Sequence, residues 1–260
     1  MSAVTVDRRG AVATVRMSRP DRMNAYDFEM GKELLDAVST LGADPEVRCL
    51  VLTGSGRAFS AGGDVSLMST YREGDISFFL DLTVRLHAFI ASLRRCPKPV
   101  VSAVNGVAAG AGFPIALAGD VVIAAASARF TLGYQNIGLS PDGGATFFLA
   151  RAIGTHRAME LTLTGRTLTC GEAAEWGLVQ RVIADATFAG ETAALADRIA
   201  AGPTLAYARA KELYNRALFQ PLETQMEEER QRIAASGRTD DFREGVRAFL
   251  EKRPPSFRGK

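Results

Sequence analysis

Short β-branched runs alternate with amphipathic helical stretches through the first two thirds of the chain, and glycine, proline or asparagine marks each change-over. Val4-Thr5-Val6 and Val12-Ala13-Thr14-Val15 flank Asp7-Arg8-Arg9-Gly10, which reads as a hairpin with Gly10 in the turn. Met30, Leu34, Ala37, Val38 and Leu41 recur at helical spacing, and Gly42 stops the helix. Val47 to Thr53 is a short, mainly apolar run rich in β-branched residues, read as a buried strand, and Val100 to Val104 is strand-like. Between them, a helix from Ser77 to Cys96 turns Phe79, Leu82, Leu86, Phe89, Ile90 and Leu93 to one side. Val121 to Ala124 and a short piece at Phe130 continue the strands. Such strand–helix–strand units with short turns favour an α/β architecture over a sandwich or a bundle. Helix formers dominate from Pro203 to about Leu250. The expected organisation is a core of β/α units over residues 1–186, followed by a helical subdomain over residues 187–260.

Composition narrows the function classes. The 260 residues are 47% apolar and 23% charged, as in ordinary globular proteins. A chain of this length hides roughly three quarters of its unfolded surface, so its core needs no disulfide or metal. The 31 basic and 29 acidic residues nearly cancel, which argues against a nucleic-acid partner. Cys49, Cys96 and Cys170 are scattered and form no CxxC pair, so neither a zinc site nor a disulfide framework is expected, and a reducing cytoplasmic setting fits. The N-terminus lacks the pattern of a signal peptide, and no uninterrupted apolar run is long enough to span a membrane.

Three loops could carry chemistry. Gly54-Ser55-Gly56 to Ala61-Gly62-Gly63-Asp64 follows a strand and precedes a helix, and it has no Gly-Lys-Ser/Thr of a P-loop. Asn105-Gly106 to Gly110-Ala111-Gly112 repeats that context but lacks the third glycine of a dinucleotide fingerprint. Each loop could donate one backbone amide to a single oxygen, the geometry of an oxyanion hole, although close helix–sheet packing explains the second loop equally well. Ser140-Pro141-Asp142-Gly143-Gly144 places a carboxylate before an apolar run, where Asp142 is either a helix cap or a site residue. His87 is expected to be partly buried on its helix, His156 to lie at the surface, and Trp176 to belong to the core. Two distant histidines make no metal site.

Taken together these segments resemble the crotonase superfamily, or enoyl-CoA hydratase/isomerase family. The resemblance runs through Arg19-Pro20 to Asn24-Ala25, Ala58 to Asp64, Pro97-Lys98-Pro99-Val100 to Asn105-Gly106, Ala116 to Asp120, Ala173 to Val179 and Glu244 to Arg253. It implies a spiral of ββα units with a helical C-terminal trimerisation subdomain, a homotrimer or hexamer, and an acyl-CoA thioester as substrate. No cofactor is implied beyond the coenzyme A of the substrate. By motif position the amides of Gly63 and Ala111 would receive the thioester oxygen. Ala61, Gly62, Asp64, Gly110 and Gly112 would line the coenzyme A path, and Arg22 would lie near its phosphates. Phe249 and Lys252 match tail positions that, in relatives, reach a neighbouring subunit's ligand.

Departures from the family pattern bear on the reaction. Pro114 and Tyr134 stand where hydratases keep two glutamates, which leaves Asp142 as the candidate catalytic carboxylate. Its position, together with the Asp241 to Val246 and Pro255 to Lys260 segments, resembles the single-aspartate isomerases of phenylacetate catabolism. One carboxylate suits a 1,3-proton shift in an enoyl thioester. A second reading comes from resemblance to 4-chlorobenzoyl-CoA dehalogenases, in which an aspartate at this position is a nucleophile and His87 matches the base. There Tyr134 replaces a tryptophan and Gly63 a phenylalanine. A hydratase using Asp142 and a non-catalytic CoA-ester-binding protein complete the alternatives.

Overall fold

A computed structural model describes residues 2–260. Gly10, at φ +58°, reverses the chain between β1 (Val4–Arg9) and β2 (Val12–Met17), which pair antiparallel with Arg9 opposite Val12. A 3-10 turn at Pro20–Arg22 leads into α1 (Phe28–Ala43). The Asp27 carboxylate accepts from the Met30 N–H and caps that helix, whose buried stripe includes Met30, Leu34, Val38 and Leu41.

From here the chain winds as a spiral that lays one strand in each of two sheets per turn. β3 (Cys49–Gly54) joins the first sheet and β4 (Ala58–Ser60) opens the second. α2 (Val65–Met68) and the long α3 (Ile76–Arg95) follow. β5 (Val100–Val104) and β6 (Val107–Ala109) make the next pair, then α4 (Gly112–Leu117), then β7 (Val121–Ala125) and β8 (Arg129–Thr131). A 3-10 helix at Tyr134–Ile137 and α5 (Ala145–Thr164) intervene before β9 (Leu168–Thr169), α6 (Cys170–Glu175) and β10 (Arg181–Ile183). The first sheet runs β1-β2-β3-β5-β7-β10 and the second β4-β6-β8-β9. From β2 to β10 every neighbouring pair in the first sheet is parallel.

The mainly apolar runs have a direct cause. In β3, Leu50 and Leu52 face the main core with α1 and α3, while Cys49 and Val51 face a second core on the other side of the sheet. That second face is covered by α7 (Phe188–Ala200) through Phe188, Leu195, Ala196 and Ala200. α8 (Thr204–Ala217), α9 (Leu222–Ser236) and α10 (Asp240–Leu250) complete the chain. α8 is fastened to the spiral by Lys211, whose ammonium pairs with Asp120 at 2.8 Å and donates to the Leu93 and Lys98 carbonyls. Burial pulls the Lys211 amine below its usual range, and the Asp120 charge opposes that pull.

Several finer expectations are revised. α3 is long and apolar enough to cross a membrane by length and composition, yet its Leu82, Leu86, Phe89, Ile90 and Leu93 stripe is packed into the core. Asp142 does not cap α5. The N-cap is Gly144, in the left-handed region, with no side-chain cap bond. Trp176 is half-buried rather than core, with the Arg157 and Arg166 guanidiniums 4.9 and 5.2 Å from its ring. His156 is exposed and follows a break at Gly154 inside α5. All three cysteines are buried and free.

Candidate active site

The two glycine-bearing loops lie back to back. The first is anchored by Asn24, which is fully buried. Its amide donates to the Ser55, Ala58 and Phe59 carbonyls, and its side-chain oxygen accepts from the Arg19 N–H. Ser60 closes the link by donating to the Asn24 carbonyl while accepting from the Gly62 N–H. The Ala61 N–H donates to the Met23 carbonyl. Thus the Pro20–Arg22 turn and the Ala61–Asp64 loop form one hydrogen-bonded unit.

Gly62 brings this unit against the second loop. It sits at φ +93°, and a Cβ there would stand 2.7 Å from the Ala109 carbonyl oxygen and 3.2 Å from the Ala111 nitrogen. Only glycine permits both the angle and the approach. Gly110 answers from the other side, with its own Cβ direction 3.3 Å from the Gly62 Cα. Gly112 has the Ser60 carbonyl directly beneath it.

The same packing exposes two amides. Tyr26 bridges to Gly63 in parallel fashion, its N–H donating to the Gly62 carbonyl and its carbonyl accepting from the Asp64 N–H. The residue between two such bonds turns its own N–H to the opposite side. Ala111 stands just ahead of α4, where backbone N–H groups have no partner in the preceding turn. Neither the Gly63 nor the Ala111 N–H donates to a protein acceptor among the described residues. Met68 lies over Gly63, its methyl occupying the place a Cβ would take.

Asp142 approaches from the loop before α5. The Tyr134 hydroxyl donates to its Oδ1 at 2.6 Å. Oδ2 accepts no protein hydrogen bond among the described residues. Burial, then the charge and hydrogen bond of Asp142, push the Tyr134 phenol far above its ordinary range, so it stays a donor. Gly143, at φ +59°, packs beneath the Pro114 ring of α4 and beside Ile90 and Leu86 of α3. Asp142 is thereby brought beside the element that begins at Ala111. His87 is exposed rather than partly buried, because it lies on the solvent side of the Leu86 and Ile90 stripe. Its Nε2 accepts from the Gly143 N–H at 3.2 Å.

Other sequence-identified residues sit further out. The Asp64 carboxylate is almost fully buried and is spent on the scaffold. It caps α2 through the Ser66 and Leu67 N–H groups and pairs with Arg19 at 2.9 Å and Arg22 at 3.5 Å. Burial alone would raise this carboxyl, but hydrogen bonds from Arg19 and Leu67 and the two arginine charges hold it below its usual value. The Arg22 side chain keeps 55% of its surface open, with donors to spare. Phe249 is 83% exposed at the end of α10, and Lys252 has left-handed backbone at φ +54°. Among the described residues, no hydrogen bond or ion pair joins either side chain to Asp142 or to the two loops.

Tyr26 was not marked by any sequence signal. Its pairing with Gly63 joins residues far apart in the chain. Its buried hydroxyl has no hydrogen-bond partner among the described residues and sits against Gly31. A cavity of about 640 Å³ lies elsewhere, between β7, α5 and α8, and is lined by Asp120, Lys211, Phe147, Phe148, Arg151 and Tyr207 among others. None of the three loops reaches it.

A spiral of paired strands, two facing loops with free amides and one carboxylate beside them define an enzyme scaffold of the crotonase class. The enoyl-CoA hydratase/isomerase family model matches residues 7–260, and the chain belongs to that family. It is 42% identical over 253 residues to the 1,2-epoxyphenylacetyl-CoA isomerase of Escherichia coli, covering 96% of this chain and 95% of the relative. It is 36% identical over 250 residues to 4-chlorobenzoyl coenzyme A dehalogenase-2 of an Arthrobacter species, covering 96% and 91%. The crystal structure of an enoyl-CoA hydratase from Polaromonas sp. JS666 superposes with a TM-score of 0.94 at 34% identity, covering 98% of this chain and 99% of that one. The family acts on CoA thioesters.

Proposed function

We propose that the protein is an enoyl-CoA isomerase in which Asp142 is the sole acid/base and the Gly63 and Ala111 amides form the oxyanion hole. The observation that carries this reading is the Asp142 carboxylate, held through Oδ1 by Tyr134 with Oδ2 unengaged, while Pro114 and Tyr134 occupy the positions of a hydratase's glutamates. Oδ2 takes the proton from the carbon α to the thioester. The C–H electron pair enters a dienolate, and negative charge develops on the thioester oxygen. Two N–H donors placed about 2.7–3.1 Å from that oxygen stabilise the charge. Asp142 then returns the proton at the γ carbon, the double bond moves into conjugation, and the carboxylate is restored. Arg22, with Ala61, Gly62, Gly110 and Gly112, forms the coenzyme A path, and Phe249 and Lys252 complete it from a neighbouring subunit of a homotrimer or hexamer.

The test is a paired assay with a 3-enoyl-CoA and a 2-enoyl-CoA, together with 1,2-epoxyphenylacetyl-CoA, the compound named in the 42% identical relative. An isomer of unchanged mass from the 3-enoyl or epoxy ester, with no hydration of the 2-enoyl ester, is expected. Gain of one water would overturn the isomerase reading. Asp142→Asn is expected to lower kcat by about 10²–10⁴-fold while CoA-ester binding persists. Unchanged kcat in that variant would remove Asp142 from the mechanism.

A second reading has one observation in its favour, the proximity of His87 to the Asp142–Gly143 peptide. In a dehalogenase-like reaction Asp142 would attack the chlorine-bearing aryl carbon, chloride would leave to give an aryl ester of Asp142, and His87 would take a proton from the water that hydrolyses that ester. Incorporation of ¹⁸O into the Asp142 carboxylate in a single turnover with 4-chlorobenzoyl-CoA would establish it. Absence of label during turnover would sink it.

A further inference from the structure

We propose that His87 is a positioning residue, which fixes Asp142 by accepting a backbone hydrogen bond, and not a proton-transfer group. The inference rests on Asp142 as the acid/base of the reaction above.

The Gly143 N–H can only donate, so the Nε2 facing it at 3.2 Å presents its lone pair. That lone pair is unavailable to take a proton from water while the bond stands. The loop needs such an acceptor. Gly143 and Gly144 both have positive φ, +59° and +77°, and two consecutive glycines are the most freely rotating pair of residues in the segment. A peptide plane next to Asp142 that rotated would carry the carboxylate with it.

Three bonds remove that freedom, and each comes from a different element. Tyr134 of the 3-10 helix holds the carboxylate. Ala145 of α5 donates to the Asp142 carbonyl at 2.9 Å. His87 of α3 holds the peptide plane between Asp142 and Gly143. The last bond spans 56 residues and is the one of the three that links the loop to the helix packed on α1. The Pro114, Ile90 and Leu86 contacts at Gly143 limit where its Cα sits, but an apolar contact does not orient an N–H.

The experiment compares two variants of the full-length protein. His87→Gln keeps an acceptor at about the reach of Nε2 but cannot take up a proton near neutrality. His87→Leu keeps apolar volume and removes the acceptor. Both are assayed on whichever ester the wild type converts, with kcat and KM separated, and thermal melting confirms folding. Positioning predicts that the Gln variant stays within about threefold of wild-type kcat. The Leu variant loses about tenfold or more in kcat with KM little changed. Equal losses in both variants would make His87 a proton-transfer group and overturn the proposal, as would full activity in the Leu variant.

Amide exchange of the peptide spanning Leu139 to Phe147 gives a second readout that needs no turnover. Protection of the Gly143 N–H in wild type and in the Gln variant, lost in the Leu variant, supports the bond. Equal exchange in all three proteins overturns it. A wild type inactive on every ester, with the exchange pattern as expected, would place the failure in the isomerase reading and leave the His87 bond standing.

Discussion

Asp142 illustrates how one side chain's role depends on its partners. A carboxylate just before a helix ordinarily caps it, yet here Gly144 takes that place and the Tyr134 phenol takes the carboxylate. A hydrogen bond to a charged group contributes about 1.5–3 kcal/mol. Tyr134→Phe is therefore expected to lower kcat by about ten- to a hundredfold with KM nearly unchanged, which steady-state kinetics would measure. Asp64 shows the opposite outcome, a carboxylate in the glycine loop consumed by structure. Its folded-state carboxyl is held below the ordinary range, so the stability it contributes is full above that range and is lost as pH falls through its folded value. Melting curves of wild type and Asp64→Asn should accordingly converge as pH falls below the ordinary carboxylate range and through the lowered folded value.

Between elements, the decisive joints are polar groups placed inside apolar surroundings. Asn24 satisfies three carbonyls and one N–H from two segments, which makes the 3-10 turn and the first loop a single body. Lys211 does the same for α8, directing its donors to Asp120 and to the Leu93 and Lys98 carbonyls. Asp120 also binds Arg94 at 3.1 Å and accepts from the Val100 N–H, so one carboxylate joins α3, β5 and α8. Breaking a buried pair by removing one partner costs about 3–5 kcal/mol. Lys211→Met, which keeps the length of the side chain, is expected to destabilise the protein by about 3 kcal/mol in denaturant unfolding. A shift below about 1 kcal/mol would show that Arg94 holds the joint unaided.

At the scale of the whole molecule, large apolar side chains remain open on the C-terminal helices. Leu222, Met226 and Ile233 of α9, with Phe249 and Leu250 of α10, are all more than half exposed. Exposed large apolar side chains of this kind suit an interaction face. The protein is expected to run as a trimer or hexamer in size-exclusion chromatography with light scattering. Phe249→Asp should weaken that assembly, or raise KM for the CoA ester if Phe249 reaches a neighbouring site. A monomer at micromolar concentration would remove the neighbouring subunit from the proposal.

Much of the scaffold is legible in the chain because it depends on local periodicity. Helical spacing at Met30, Leu34, Val38 and Leu41 and the turn at Gly10 are matched by α1 and the first hairpin. The mainly apolar runs at β3 and β5 encode a sheet covered on both faces. The glycine loops are legible for the same reason, since a backbone that must approach another backbone cannot carry Cβ atoms there. What faces Asp142 is another matter. His87 meets Gly143 across 56 residues, and Tyr26 pairs with Gly63 although no pattern links them. Neither contact has a period, because each is set by how separate helices and strands pack on the completed spiral. Sequence determined the fold and the loops able to present amides. Tertiary packing alone decided that Asp142 is held by Tyr134 and His87 rather than capping its helix, because hydrogen-bond partners are chosen by position in space.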